Sequence, residues 1–131
     1  MKSHLSYVKV RYAETDQMGV VHHGNYAQYF EIARLEWLSS LGISYKTMEE
    51  TGVMLPVYEL NTQFLKPAVF EDELEIEVKL KELPSVKITF EYLIYNQNKE
   101  LLTKAFTTLV FMDAKTKRPI RCPKYILDKL K

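Results

Sequence analysis

The hydrophobic pattern of this sequence changes its period once, near Met54, and that change restricts the folds available to the chain. Between residues 25 and 41 the apolar side chains recur every three or four positions, as one face of a long helix requires. Beyond Met54, apolar and polar residues mostly alternate, which is typical of strands with one buried face. The pattern predicts an antiparallel sheet with the long helix packed across one face, an α+β fold.

The same alternation places the strands approximately. One short strand is expected at residues 7–13, before the helix, and four more at 56–65, 73–80, 86–94 and 100–112, connected as a meander. Gly42 stands where a helix C-cap is expected, and Ser44 can begin a second, short helix. The last strand carries apolar residues on both faces, among them Ala105 and Leu109 on one and Phe106 on the other, which indicates a partner subunit.

Length, charge and cysteine content exclude several classes of protein. A chain of 131 residues with 47% hydrophobic content suffices for a single domain, here residues 1–131. The formal net charge of +1 gives no overall field that would attract nucleic acid or an anionic membrane. Cys122 is the single cysteine, so no internal disulfide can form. Without the apolar run of a signal peptide or the roughly 20 apolar residues of a membrane span, we expect a soluble, cytoplasmic protein.

Familiar catalytic motifs are missing from the sequence. It has no G-x-S-x-G nucleophile elbow, no phosphate-binding P-loop and no G-x-G-x-x-G dinucleotide turn. Cys122 precedes a proline with no neighbouring base, so it is interpreted as incidental. His22 and His23 are adjacent, and neighbouring side chains are expected to point in different directions, whereas catalytic zinc needs three converging protein ligands. We predict neither a metal nor an organic cofactor.

The most polar segment, residues 14–26, lies between the first strand and the long helix and has two interpretations. In the structural one, Asp16 and Gly19 form a turn and Asn25 caps the helix. In the functional one, unpaired N–H groups at the helix start stabilise a carbonyl oxygen as it becomes negative. A nearby carboxylate, Asp16, then attacks the carbonyl carbon or removes a proton from water. Such an apparatus suits a thioester.

The segment also carries a family resemblance. The pattern Thr15-Asp16-x-x-Gly19-x-Val21-x-His23-x-x-Tyr26 resembles the active-site signature of the 4-hydroxybenzoyl-CoA and acyl-CoA thioesterase family. The long helix, the Leu65-Lys66-Pro67 segment and the Arg118-Pro119 tail follow in the family's order. The resemblance implies a hotdog fold, in which a five-stranded antiparallel sheet wraps one long helix. It also implies a homodimer with a continuous ten-stranded sheet, assembled in many relatives into a homotetramer.

Roles at the site are implied by this resemblance, position by position. Asp16 becomes the catalytic carboxylate, and the backbone N–H of His23 polarises the thioester carbonyl. Tyr26 shapes the site from the start of the helix, and Gly19 lets the backbone turn close to the substrate. His22 is a neighbouring substrate-binding candidate, at a position that varies in the family.

Further candidates lie outside the segment. Pro56 and Val57 are expected to line the acyl tunnel, although their apolar character fits a core equally well. The phosphates of CoA require positive charge near the pocket mouth, for which Lys87 and Arg118 are the main candidates. Both could instead be solvated surface residues.

The predicted function is hydrolysis of an acyl thioester carried by CoA or by acyl carrier protein. A hotdog dehydratase acting on hydroxyacyl thioesters is an alternative that would form an enoyl product in place of free thiol. A second alternative, from another class, is a non-catalytic acyl-CoA binding module, which would bind acyl-CoA without releasing thiol.

Overall fold

The computed structural model describes residues 2–131. In that range the chain forms seven strands and three α-helices, in the order β1 (Ser3–Lys9), α1 (Tyr26–Ser40), α2 (Tyr45–Glu50), β2 (Val53–Met54), β3 (Val57–Phe64), β4 (Glu73–Leu80), β5 (Lys87–Tyr95), β6 (Leu101–Val110), β7 (Met112–Asp113) and α3 (Lys124–Leu130). Two 3-10 turns, Tyr12–Glu14 and His23–Asn25, lie in the loop between β1 and α1.

Five strands form one antiparallel sheet in the order β1-β4-β5-β6-β3. The predicted antiparallel sheet is therefore confirmed, but the simple meander is wrong in one place, because β3 pairs with β6 and not with β4. Strand β1 also begins and ends earlier than the predicted residues 7–13, since Tyr12–Glu14 turn away as a 3-10 helix. Because β3 pairs with β6, the two edge strands of the sheet are β1 and β3.

The long helix α1 packs across one face of this sheet, as its apolar stripe predicts. Phe30 is fully buried, and its ring stacks on that of Tyr92 of β5 with centroids 4.6 Å apart. The helix ends at Ser40, and Gly42, which follows the C-cap residue Leu41, has a φ of +78°, a left-handed conformation that glycine adopts without a Cβ penalty. The N–H of Ile43 then reaches back to the carbonyl of Leu38, which completes a Schellman-type cap.

The face of β6 turned toward α1 is less apolar than its sequence suggests. Thr103 and Thr107 lie there beside Ala105 and Leu109, so the prediction of two apolar faces is only partly right. The large aromatic rings packed against this face leave room only for small side chains. The hydroxyl of Thr107 forms a hydrogen bond with that of Tyr92 at 2.7 Å. The threonines therefore fit the space that the aromatic side chains leave.

Strand β3 forms one edge of the sheet, and most of it is exposed. Seven of its eight residues are exposed, including the apolar side chains of Val57, Leu60 and Phe64. An edge strand of this length with exposed apolar groups is a template for pairing with another strand. None of the helices within residues 2–131 has the length and apolar character to cross a membrane.

Candidate active site

Asp16 lies in a tight turn of the loop between β1 and α1. Its backbone N–H donates to the carbonyl of Val20 at 2.8 Å, and its own carbonyl accepts from Gly19 at 3.0 Å. One carboxylate oxygen, Oδ1, accepts the backbone N–H of Met18 at 2.8 Å. Gly19 has a φ of +79°, so the turn depends on a residue that tolerates the left-handed region. The turn expected from the structural interpretation is present, and it holds the Asp16 carboxylate half-exposed.

His23 begins the 3-10 turn His23–Asn25 that leads into α1, and His22 is the N-cap residue of that turn. Their rings are stacked with centroids 4.3 Å apart, so the expectation that they point in different directions is wrong. His22 Nδ1 accepts the backbone N–H of Gly24 at 3.0 Å, which fixes its ring against the backbone. No group of three potential metal-ligating side chains occurs within residues 2–131.

The backbone N–H of His23 is not bonded to any acceptor in the part of the chain that the structure describes. Asn25 does not cap the helix with its side chain, contrary to the capping interpretation. Its side-chain amide instead donates to the carbonyl of Glu14 at 2.8 Å. The His23 N–H, in the 3-10 turn that leads into α1, is therefore available to a ligand near the helix start, where the helix dipole favours negative charge.

Asp16, His23 and Tyr26 line one cleft of about 290 Å³. The opposite wall is formed by the end of β3 and the following segment, with Phe64, Leu65, Lys66 and Pro67. The rings of Tyr26 and Phe64 meet edge to face with centroids 5.0 Å apart. Three of the predicted site residues are thus brought together, while Gly19 and His22 adjoin the cleft from the loop.

Other predicted residues lie elsewhere in the same chain. Pro56, Val57 and Lys87 line a separate, mainly apolar cleft of about 420 Å³. Lys87 Nζ lies 4.4 Å from the centroid of the Tyr58 ring, in a cation–π contact. Arg118 is exposed next to Pro119, which also lines this cleft. Within one chain these residues do not reach the Asp16 cleft.

The sequence analysis did not identify Glu14, which anchors the whole loop. Its buried carboxylate accepts the backbone N–H of Arg11 at 2.9 Å, the Arg11 guanidinium at 2.9 and 3.0 Å, and the Tyr29 hydroxyl at 2.8 Å. Its carbonyl accepts the His22 N–H at 2.9 Å in addition to Asn25. Glu14 therefore holds the two sides of the loop together and connects them to the start of α1. The Arg11-x-x-Glu14 spacing is the only signal of this in the sequence.

The charge state of Glu14 follows from these contacts. Burial alone would raise the pKa of its carboxyl, but the hydrogen bonds from Arg11 and Tyr29 outweigh burial and lower it below the usual 4.5. Because the folded-state pKa is depressed, the stabilisation is fully present above pH 4.5 and is lost as the pH falls through the lower folded value.

Replacing Glu14 by glutamine is expected to lower the free energy of unfolding at pH 7 by about 1–3 kcal/mol, because a buried charged acceptor is lost. The variant should also lose less stability on acidification than the wild type. Urea unfolding at pH 7 and at a pH below 4.5 measures both effects. The matched control is Glu82→Gln, which changes an exposed carboxylate. Equal acid sensitivity of Glu14→Gln and wild type would contradict this assignment.

Cys122 is buried, and burial raises the pKa of its thiol to about 11. A thiol in that state is neutral near pH 7 and is a poor nucleophile. It also lies outside the residues that line the Asp16 cleft. The interpretation of Cys122 as incidental is consistent with this environment.

The chain is similar to known thioesterases. The thioesterase-like superfamily matches residues 10–130. YneP of Bacillus subtilis is 35% identical over 121 residues, covering 92% of this chain and 88% of that protein. The acyl-CoA thioester hydrolase YbgC of Escherichia coli is 30% identical over 124 residues, covering 95% of this chain and 92% of that protein.

Solved structures agree with the sequence relatives. The DHNA-CoA thioesterase of Staphylococcus aureus is 37% identical and superposes with a TM-score of 0.91, covering 98% of this chain and 86% of that one. The predicted resemblance and the hotdog fold are both confirmed. The chain therefore belongs to the thioesterase-like superfamily of thioester hydrolases.

Proposed function

We propose that residues 1–131 act as one hotdog thioesterase domain that hydrolyses acyl-CoA to a free acid and CoA. The observation that carries this proposal is the single cleft that Asp16 and His23 both line, together with the absence of an acceptor for the His23 N–H within residues 2–131. A carboxylate and an unbonded helix N-terminal N–H are the two parts that acyl transfer needs. No metal or organic cofactor enters the proposed reaction.

The reaction begins with the thioester carbonyl oxygen at the His23 N–H. This N–H and the helix dipole stabilise the negative charge that develops on the oxygen. Asp16 has one carboxylate oxygen, Oδ2, that accepts no hydrogen bond within residues 2–131. This oxygen either removes a proton from a water that attacks the carbonyl carbon, or attacks the carbon itself to form an anhydride that water then cleaves. In both routes the C–S bond breaks, and CoA leaves as a thiolate.

We further propose that the site is completed by a second copy of the chain. Antiparallel pairing of two β3 edges would join two five-stranded sheets into one of ten strands. With the pairing centred on β3, Val57 of one copy faces Phe64 of the other, because these residues begin and end the strand. The cleft with Pro56, Val57 and Lys87 then adjoins the Asp16 cleft of the second copy, which accounts for their separation within one chain.

Positive charge for the CoA phosphates is available on both sides of this proposed interface. Lys66 lines the Asp16 cleft and is paired with Glu100 at 2.9 Å, while Lys87 and Arg118 belong to the other cleft or its rim. Lysine binds phosphate as a point charge and arginine as a bidentate donor. Assembly of dimers into tetramers and a cytoplasmic location remain predictions, the second supported by the single cysteine.

The proposal is tested by thiol release from a panel of short, long and aromatic acyl-CoAs. We expect release from at least one member of the panel and no enoyl product. Binding without release would favour a non-catalytic module, and formation of an enoyl thioester would favour a dehydratase. Thiol release from acyl carrier protein thioesters, but from no acyl-CoA, would support thioester hydrolysis with acyl carrier protein in place of CoA as the carrier.

A further inference from the structure

The direction of the His23 N–H is set by the peptide group that joins His22 to His23. The carbonyl of His22 and the N–H of His23 are the two ends of one planar trans peptide, so they point in opposite directions. That carbonyl accepts the N–H of Asn25 at 2.9 Å, and the N–H of His22 donates to the carbonyl of Glu14 at 2.9 Å. The His23 N–H therefore points away from the interior of the turn, and its direction depends on how firmly the turn is closed.

The imidazole of His22 closes the same turn through a second hydrogen bond. Its Nδ1 accepts the N–H of Gly24 at 3.0 Å, in the N-cap position of the turn. An acceptor two residues before the N–H is the arrangement that Asn and Asp side chains form in Asx turns. A Cβ added at Gly24 would lie 3.0 Å from Nδ1, so the ring lies directly against the backbone there. One face of the ring stacks on His23, so the imidazole is held at an edge and at a face.

The hydrogen bond from Gly24 requires an unprotonated Nδ1 on His22. A neutral imidazole keeps one nitrogen as an acceptor, whereas both nitrogens of the charged form are donors. The proton of the neutral ring is therefore on Nε2. A second proton would place two N–H groups against each other, so protonation of His22 would break the bond. Histidine side chains change their charge between about pH 5 and pH 8, so the bond is present on the alkaline side and lost on the acidic side.

Within residues 2–131, no ion pair holds His22 in its charged form. The Glu14 carboxylate of the same loop is already occupied by Arg11 and Tyr29. The His22 ring is exposed, so it can exchange its proton with solvent. The titratable groups of the loop, of the helix start and of the segment after β3 are Arg11, Glu14, Asp16, His23, Tyr26 and Lys66.

We propose that His22 is a positioning residue for thioester hydrolysis, which holds the His23 N–H toward the substrate oxygen only while its own imidazole is neutral. This inference rests on the proposed function and gives His22 a role other than substrate contact. Without the bond to Gly24, the turn is closed by backbone hydrogen bonds alone. The His23 N–H then meets the developing oxyanion less well, and kcat falls. Part of the loss of activity in acid is therefore due to His22.

The test compares His22→Asn with His22→Gln in thiol release from the acyl-CoA that the wild type hydrolyses fastest. Both replacements are neutral amides, but the Asn oxygen takes the position of Nδ1 and the Gln oxygen that of Nε2. At about pH 8, His22→Gln should lower kcat about threefold or more, as loss of a capping bond allows. His22→Asn should rescue most of that loss, because it can accept the Gly24 N–H. KM should change little in both variants, since neither side chain contacts the substrate in this proposal.

The pH profile separates this positioning role from a merely structural one. Between about pH 8 and pH 5, kcat of the wild type relative to His22→Asn should fall about threefold or more, because the amide does not titrate. The other titrating groups of the cleft are common to both proteins, so their effect cancels in this ratio. The control is His4→Asn, the same substitution on β1, where His4 is bonded to Glu36 at 2.9 Å. It should leave kcat and the pH profile unchanged.

A uniform loss of folded enzyme lowers kcat equally at every pH and does not change the profile. Three results would overturn this inference alone: equal kcat for His22→Asn and His22→Gln, a ratio of wild type to His22→Asn that is constant with pH, or a change confined to KM. No thiol release from any acyl-CoA would overturn the proposed function, and this inference with it.

Discussion

Asp16→Asn protein is expected to release thiol from acyl-CoA at least about a hundredfold more slowly than the wild type, because it loses its base or nucleophile. Asparagine keeps a side-chain carbonyl, so it can still accept the Met18 N–H that holds the turn. The loss should therefore appear in kcat, with little change in the stability of the fold. Steady-state thiol release and thermal unfolding of both proteins measure the two quantities.

The control for this change is Asp128→Asn, the same substitution on the exposed face of α3. It should leave kcat unchanged. If Asp16→Asn keeps more than about a tenth of the wild-type kcat, Asp16 is neither nucleophile nor base, since either role contributes more. A burst of CoA release equal to the number of sites, before the steady state, would assign Asp16 as the nucleophile.

The elements with a strong local signal could be predicted from the sequence. Helix α1 matches its prediction to within one residue at each end, because its apolar stripe is continuous and Gly42 ends it. Strand β4 matches residue for residue, since it alternates strictly between a buried apolar and a charged face. Asp16, His23 and Tyr26 lie close together in the sequence, and they line one cleft in the structure, while their roles there stay predictions.

The features that depend on distant contacts could not be predicted in the same way. The pairing of β3 with β6 passes over two intervening strands, and no local pattern specifies it. Phe64 and Lys66 enter the Asp16 cleft only through that pairing, so the sequence analysis missed their role there. Arg34 sits in an otherwise apolar stripe, and its burial depends on what the sheet and α2 place around it.

In the dimer proposed above, the second subunit would complete the active site, and the exposed edge of β3 is the basis of that proposal. Within one chain, the Asp16 cleft is lined by the loop, the start of α1, the end of β3 and the segment that follows it. The apolar cleft at the other end of β3, which Pro56, Val57 and Lys87 line, has no carboxylate in its lining. The proposed catalytic and acyl-binding residues are thus separated within one chain, and antiparallel pairing of two β3 strands would bring them together.

Leu60→Lys is expected to dissociate the dimer and, with it, to reduce thiol release by about a hundredfold or more. Leu60 lies in the middle of β3 and is 46% exposed in the single chain. At a two-fold symmetric interface the substitution introduces two like charges close together, and burying an unpaired charge costs several kcal/mol. Natural proteins use lysine in this way to prevent pairing of edge strands. Light scattering during size-exclusion chromatography gives the mass, and thiol release from the same fractions gives the activity.

Leu5→Lys is the matched control, because Leu5 is 42% exposed and lies on β1, at the opposite edge of the sheet from β3. It should remain dimeric and active. A Leu60→Lys protein that is monomeric and fully active would show that one chain contains the complete site, and one that remains dimeric would place the interface elsewhere. If the Leu60→Lys protein instead has the mass of a monomer and has lost activity, this explains why Pro56, Val57 and Lys87 lie apart from Asp16 in a single chain. They would serve the active site of the other subunit.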